Sequence, residues 1–250
     1  MLAFIQGELY KVLHRKYIYI FILILSIIFV GGSMYVLKGN ILPATVPLTQ
    51  HFVLQNGNFI ALGVLVLLML VLPILTEEYK YNTLKNLVTL NLSKAQIYLG
   101  KLFVQTSIML ILAVVFITEF VFVLQAIPSG ESAIGKLLLE FILKIICTIP
   151  CYIATIVILN LMAILLKNAI VICLVYYYGY IQIYMILMFT CGNISSDMVR
   201  IILMPGQIQF FFLNKFTMYN CLLTIVTGIF HLAIAVALLL STVKIMENKE

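Results

Sequence analysis

Six long apolar stretches constrain this chain more than any other feature of its sequence. They cover residues 17–37, 58–76, 102–127, 141–166, 169–191 and 221–243. Each has about the 20 residues that an α-helix needs to cross a bilayer, and none shows the alternation of a membrane β-strand. The chain is 64% hydrophobic and 10% charged, whereas soluble domains are about 45–50% apolar and about 25% charged. We therefore predict an all-α integral membrane protein, with six transmembrane helices in a single transmembrane domain over residues 1–250.

The basic residues predict which side of the membrane each loop faces. Ten of the 15 lysines and arginines flank the spans on the side of the N-terminus, and five lie on the other side. Cytoplasmic loops carry an excess of Lys and Arg, so we expect both termini and residues 77–101 in the cytoplasm. The net charge of +6 follows from this bias and favours anionic lipid. It does not indicate a nucleic-acid partner.

Residues 1–16 have the pattern of an amphipathic helix that lies on the inner membrane surface. The apolar face would carry Leu2, Ile5, Leu9, Val12 and Leu13, and the polar face Glu8, Lys11 and Arg15. We expect this helix to contact membrane lipid. The first apolar span, residues 17–37, is too long for a cleavable signal, and no small-residue cleavage site follows Val30.

A polar island separates the second and third spans, at residues 77–101. Glu77 and Glu78 suit the first turn of a helix, where the helix dipole favours acidic residues. An apolar face follows at helical spacing, formed by Tyr81, Leu84, Leu87 and Val88. Ser93 is placed to cap the helix that enters span three, and Lys94 and Lys101 are expected near the surface. This pattern predicts a helix–turn–helix under the membrane, with an apolar face that docks into a groove of a cytosolic partner.

Two further connections are informative. The inner turn at Lys167 and Asn168 is so short that spans four and five must form an antiparallel hairpin. Residues 192–220 contain two apolar pieces, 198–204 and 208–213, that are too short to span and are separated by Pro205 and Gly206. Such backbone is tolerated at membrane depth only where protein or a water-filled cavity covers it. We therefore predict short re-entrant outer helices before span six.

The sequence predicts no catalytic set and no metal site. Residues 130–136 match the GxxxxGK pattern of a phosphate loop, but Leu137 follows where a Ser or Thr would hold the metal, and no strand precedes it. The three histidines are scattered over different segments, and the five cysteines form no zinc pattern. Cys147 and Cys151 are expected to be packing residues in span four. No soluble domain fits into the remaining residues, so any nucleotide-driven motor would be a separate chain.

Glu119 is the one acidic residue that the pattern places well inside a span, and such a residue suggests a function. Three interpretations are open: an ion pair with Lys144 or Lys136, a polar group on a substrate path, and a proton relay. A relay usually needs more acids or histidines than this chain offers. The substrate-path interpretation includes Glu119 and three aromatic residues, Phe116, Phe211 and Phe212.

The polar island resembles a known family. Its acidic pair, the run Asn82-Thr83-Leu84, the leucine at 87, Ser93-Lys94 and Gly100-Lys101-Leu102 are similar to the cytosolic segment after the second helix of ABC-2 type (type V exporter) permeases. The family pattern there is an acidic residue, Gly-Thr-Leu, a leucine-rich turn, Pro-Val-Ser and Gly-Lys. Asn82 stands in place of the Gly, and Asn91-Leu92 in place of Pro-Val. In size and architecture the chain is similar to the small bacitracin-export and lantibiotic-immunity permeases of bacteria.

The resemblance implies a permease subunit without its own ATPase, in a bacterial cell membrane. Two copies of a cytosolic ABC ATPase, carrying ATP and Mg, would dock on the coupling segment and on residues 1–16. The implied docking residues are Glu77, Glu78, Tyr81, Thr83, Leu84, Leu87, Lys11 and Arg15. A second copy of the chain, or a related permease, would complete the pathway for an amphipathic or apolar substrate such as an antimicrobial peptide. The alternatives are a membrane immunity or signalling protein that binds a peptide without pumping it, and a secondary carrier or intramembrane enzyme.

Overall fold

The described part of the chain is helical throughout. The computed structural model describes residues 2–37, 74, 76, 93–125, 131–182, 207–208, 211–212 and 216–247. The helices within these ranges are α1 (Leu2–Leu13), α2 (Lys16–Leu37), α3 (Lys94–Leu124), α4 (Glu131–Leu166), α5 (Ala169–Tyr176) and α6 (Met218–Glu247). A π-helical turn, Tyr177–Gln182, continues α5. These ranges contain no strand.

Four helices, α2, α3, α4 and α6, are long and apolar enough to cross a membrane. They correspond to the predicted spans one, three, four and six, and they make the chain a multi-pass membrane protein. Helix α5 and its π-helical turn cover the first part of the predicted fifth span. Of the predicted second span only Ile74 and Thr76 are described, and both are helical. The count of six therefore stays a prediction, as do the coupling helix at 77–92 and the re-entrant outer helices.

Helix α3 begins well before the predicted start of span three. Ser93 accepts a hydrogen bond from the backbone N–H of Gln96 at 3.2 Å, and the Gln96 side chain accepts one from the backbone N–H of Ser93 at 3.0 Å. This reciprocal capping box satisfies two of the backbone donors that a helix start leaves unpaired. The predicted cap at Ser93 is confirmed, and it places Lys101 two turns inside the helix.

The turn between α4 and α5 is as tight as the sequence predicts. Lys167 has a φ of 56°, in the left-handed region, and reverses the chain directly after Leu166. Asn168 then caps α5, because its side-chain oxygen accepts the backbone N–H of Ile170 at 2.9 Å. The predicted antiparallel hairpin therefore begins with two non-helical residues.

Helices α4 and α6 form the most extensive helix pair of the described residues. Gly228 allows the close approach, since a Cβ at this position would lie 2.7 Å from the backbone nitrogen of Cys151. Small residues have this role in many membrane bundles, where backbones pack closely. A disulfide between Cys147 and Cys221, with Cα atoms 6.0 Å apart, joins the same two helices. Cys147 was expected to be only a packing residue; the structure corrects this, because Cys221 lies within bonding reach.

The main core lies between α2, α3, α4 and α6. Phe29 of α2 is fully buried and meets Phe116 of α3 edge to face, with ring centroids 5.5 Å apart. Deeper in the core, Phe120 of α3 stacks on Phe141 of α4 at a centroid distance of 3.6 Å. These contacts fix α3 as the helix that joins α2 to the α4–α6 pair.

Candidate functional site

Helix α1 packs against the first turns of α3, at the end of the bundle that the basic residues assign to the cytoplasm. Its buried positions are Glu8 and Val12. Val12 belongs to an apolar cluster with Ile74, Val104 and Ile108. Thus α1 contacts both α3 and the residues that lead into the predicted coupling segment.

Gly100 sets how closely α1 approaches α3. A Cβ at Gly100 would lie 2.7 Å from the ring of Phe4, far inside an ordinary contact of about 3.5–4.0 Å. Glycine at this position therefore lets the ring of Phe4 lie directly on the backbone of α3. Gly100, the first residue of the Gly-Lys pair in the family pattern, therefore has a packing role.

A buried ion pair lies next to this contact. Lys101 is fully buried, and its ammonium donates to Glu8 Oε2 at 3.1 Å and to the carbonyl of Ile74 at 3.2 Å. Lys11 donates to the other Glu8 oxygen, Oε1, at 2.6 Å. We call this set the base cluster: Glu8, Lys11, Lys101 and the Ile74 carbonyl.

The base cluster corrects two predictions. Lys101 was expected near the surface, but α1 packs over the first turns of α3 and buries it. Glu8 was expected on the polar face of α1, but its side chain is only 6% exposed. Both corrections have the same physical reason. Attraction between the two opposite charges offsets part of the free energy needed to remove each of them from water.

The charge of Glu8 is stabilised by its neighbours. Burial by itself raises the pKa of this carboxyl, but the charges of Lys101 and Lys11 and their hydrogen bonds outweigh it, so the pKa lies below the ordinary value of 4.5. Glu8 is therefore ionised at neutral pH. The pair with Lys101 is a true ion pair and not a neutral hydrogen bond.

One turn further along α3, a second polar contact continues inward from Lys101. The side-chain amides of Gln105 and Asn160 exchange two hydrogen bonds, of 2.9 Å and 2.6 Å, and both residues are buried. Asn160 lies in α4, so this amide pair joins α3 to α4. In apolar surroundings the pairing satisfies groups that would otherwise be costly to bury.

Most of the predicted docking residues lie outside the described part of the chain. Only Lys11 and Arg15 can be located, both at the α1 end of the bundle. Lys11 extends from Glu8 with half of its side chain exposed. Arg15 donates to the Tyr17 hydroxyl at 3.2 Å, and its guanidinium lies 5.9 Å from the centre of that ring. The docking role of the residues Glu77, Glu78, Tyr81, Thr83, Leu84 and Leu87 stays a prediction.

Glu119 faces α2 rather than α4. Ser26 of α2 is its hydrogen-bonding neighbour, and one buried carboxylate oxygen, Oε2, has no hydrogen-bond partner. Lys144 pairs instead with Glu140 at 2.9 Å, one turn away on α4. Within the described ranges the structure thus does not show the expected ion pair of Glu119 with Lys144 or Lys136. The aromatic neighbour Phe116 lies one turn before Glu119 and is partly buried.

The other two predicted path residues, Phe211 and Phe212, are buried. Phe211 packs with Cys147 and Cys221, around the disulfide, whereas Phe212 joins the main core. The Lys144–Glu140 ion pair on α4 binds the backbone near these two residues. Lys144 donates to the carbonyl of Phe212 at 3.4 Å, and Glu140 accepts the backbone N–H of Phe216 at 3.1 Å. In this conformation the two rings fill the protein interior. Their contact with a substrate stays a prediction.

The structure brings together two pairs of residues that sequence patterns did not connect, namely Glu8 with Lys101 and Gln105 with Asn160. A signal was available for the amide pair, since polar side chains inside apolar spans need partners. For Glu8 and Lys101 the signal was weak, because charged residues at span ends are common. Within the described ranges, no group of three or more His, Cys, Asp or Glu could hold a metal ion.

Comparison with known proteins agrees with this architecture. A family model described as an ABC-2 family transporter protein matches residues 4–182, from α1 to the π-helical turn after α5. No curated protein matches the chain. The matched range includes the complete base cluster and the amide pair, and it covers well over half of the 250 residues. The chain belongs to the ABC-2 family of transporter proteins.

Proposed function

We propose that this chain is the permease subunit of an ATP-driven exporter and that a separate cytosolic ATPase drives it. The family match over residues 4–182 carries the proposal. The position of the base cluster supports it, because α1 and the residues before the predicted coupling segment meet the bundle at one point. ATP and Mg would bind to the partner, and this chain would contribute no catalytic residue.

The ATPase would dock on the coupling segment and on the exposed side of α1. Leu84 and Leu87 would fill an apolar groove of the partner, while Lys11 and Arg15 would face its surface. Two ATPase copies and a second permease chain, identical or related, would complete the transporter. Closure of the ATPase dimer on nucleotide would then move the coupling segment as a rigid body.

The substrate class that fits best is amphipathic or apolar, and an antimicrobial peptide is the specific proposal. The described spans are rich in aromatic and aliphatic side chains, and Glu119 supplies a polar group between α2 and α3 that could meet a cationic part of the substrate. The orientation proposed from the basic residues puts both termini in the cytoplasm of a bacterial cell.

Co-purification tests the ATPase partnership. The full chain is expressed with a candidate ABC ATPase, and pull-down and permease-dependent ATP hydrolysis are both measured. Leu84→Asp with Leu87→Asp should abolish both, because two charges would enter an apolar groove. Asn86→Asp is the matched control, since at 100° per residue Asn86 would lie about 160° from Leu84 and about 100° from Leu87, outside the predicted apolar face.

Three outcomes decide the proposal. Loss of both signals in the leucine variant, with the Asn86 variant unchanged, supports docking through this segment. Binding and hydrolysis that persist in the leucine variant contradict it. A wild-type chain that binds no ATPase, yet protects cells from a peptide, favours the immunity-protein alternative.

A further inference from the structure

The base cluster joins three parts of the chain at one buried ammonium group. Glu8 belongs to α1, Lys101 to α3, and the Ile74 carbonyl to the end of the predicted second span. Only two residues, 75 and 76, separate Ile74 from Glu77, where the predicted coupling segment begins. Three residues of extended chain reach at most about 10 Å. Movement of the coupling segment would therefore be passed along this short stretch to Ile74, whose carbonyl accepts a hydrogen bond from the Lys101 ammonium.

We propose that the Glu8–Lys101 ion pair is a latch that transmits movement of the ATPase-docking region into the transmembrane bundle. Glu8 and Lys101 are thus positioning residues of the transport cycle, and the inference rests on the proposed function. The inference specifies where movement of the ATPase-docking region is passed to the transmembrane helices. Neither residue needs to touch the ATPase or the substrate.

Energetics favour a switching role over a purely stabilising one. The pair lies beside the apolar cluster of Val12, Val104 and Ile108. A buried ion pair often stabilises a protein no more than apolar residues of the same size would, because both charges must be desolvated. Fixing register or switching between states is the better-attested use of such pairs.

Glu8 has the contacts that a two-state element needs. Its two oxygens bind two different cations, buried Lys101 through Oε2 and half-exposed Lys11 through Oε1. If α1 moves away from α3, Glu8 keeps Lys11 on its own helix, and Lys101 keeps the Ile74 carbonyl. Neither charge is then stranded without a partner, so the cost of opening is limited.

The latch also connects to the rest of the bundle. Gln105 follows Lys101 by four residues, on the same face of α3, and its amide pairs with Asn160 of α4. Helix α4 in turn is tied to α6 by the close contact at Gly228 and by the disulfide. Movement of α3 at the latch therefore has a route through these contacts to α4 and α6.

The test separates coupling from folding. Glu8→Met and Lys101→Met each break the latch, and the two substitutions together replace it by apolar packing of similar size. Lys244→Met is the matched control, because it removes an exposed lysine of α6 that belongs neither to the base cluster nor to the proposed docking residues. Each variant is co-purified with the ATPase in lipid nanodiscs, and ATPase binding, the thermal midpoint and permease-dependent hydrolysis of Mg-ATP are measured.

A latch predicts that permease-dependent hydrolysis falls about tenfold in both single variants, within the usual range of coupling between sites. The Glu8→Met/Lys101→Met protein should keep ATPase binding and a wild-type thermal midpoint, yet hydrolysis should stay low. Lys244→Met should remain within about twofold of wild type.

Wild-type hydrolysis in the double methionine variant would overturn the inference, since the pair would then serve packing alone. Additive effects of the two single substitutions would also contradict it, because partners in one latch lose the same function once. A failure of the proposed function looks different. In that case the wild-type chain itself binds no ATPase.

Discussion

The contact at Gly228 permits a sharp prediction about the α4–α6 pair. In Gly228→Ala the new methyl group would lie 2.7 Å from the backbone nitrogen of Cys151, 2.8 Å from Pro150 Cβ and 2.9 Å from Cys151 Sγ. Two of these three atoms belong to the backbone or lie next to it, so a change of side-chain rotamer cannot relieve the clash. The helices must separate instead, by about 1 Å, to restore ordinary contact distances.

The structure also indicates the size of the effect. The Cys147–Cys221 disulfide and the contact of Cys151 Sγ with the Thr224 carbonyl, at 3.5 Å, hold the two helices together beside Gly228. Separation therefore strains neighbouring contacts, and overpacking of this kind costs about 1–3 kcal/mol. A loss of about 2 kcal/mol lowers the thermal midpoint of a chain this size by about 4–8 °C.

Thermal unfolding of the purified chain in detergent, followed by far-ultraviolet circular dichroism, measures this shift. Gly31→Ala is the matched control: Gly31 lies in α2, and a Cβ there would meet no atom within 4 Å. The Gly31→Ala variant measures only the effect of a higher helix propensity, which raises the free energy of unfolding by about 1 kcal/mol or less. A Gly228→Ala protein that melts at the temperature of Gly31→Ala would refute the argument that backbone contact limits this pair.

Three other predictions concern polar and covalent contacts. Gln105→Leu leaves the Asn160 amide unpaired. The loss of two hydrogen bonds inside the membrane should lower the free energy of unfolding by about 1 kcal/mol, and the thermal midpoint should fall with it. Replacing both residues by Leu should recover most of this stability, and no recovery would contradict the pairing. Cys147→Ser should lower stability by about 2–4 kcal/mol, and alkylation mass spectrometry without reductant should leave Cys147 of the native chain unlabelled; ready labelling would rule the disulfide out. The attachment of α1 should weaken in acid, because the pKa of Glu8 lies below 4.5: a lowered carboxyl pKa gives stability that is present above 4.5 and lost as the pH falls towards the folded value. Hydrogen exchange of α1 across that range measures it, and Glu8→Gln should show no such pH dependence.

Sequence patterns were sufficient for features that depend on near neighbours along the chain. The cap at Ser93 needs only a suitable side chain directly before the helix, and the α4–α5 turn follows from two polar residues between long apolar runs. Both predictions are confirmed. The face of α1 was predicted less well, because periodicity assigned Glu8 to water without knowing that Lys101 would lie beneath it.

The base cluster likewise combines residues that the sequence pattern identifies with contacts that depend on packing between helices. Lys101 was part of the motif that suggested the family, yet the sequence alone gave it a surface position. Its burial depends on where α3 starts, on how closely Phe4 approaches Gly100, and on the carbonyl of Ile74 arriving from another span. The disulfide likewise joins cysteines 74 residues apart, a pairing that spacing along the chain does not predict.

The pattern of residues along the chain is enough to place this protein in a membrane, to indicate which segments are long and apolar enough to cross it, and to suggest its family. Those properties follow from the free energy of transferring long apolar segments into a bilayer, which is summed residue by residue along the chain. The packed helices are needed to see that Glu8, Lys101 and Ile74 meet, that Gln105 reaches Asn160, and that Glu119 faces Ser26. Such contacts depend on the relative position of helices distant in sequence, which close packing of side chains fixes and a one-dimensional pattern does not encode.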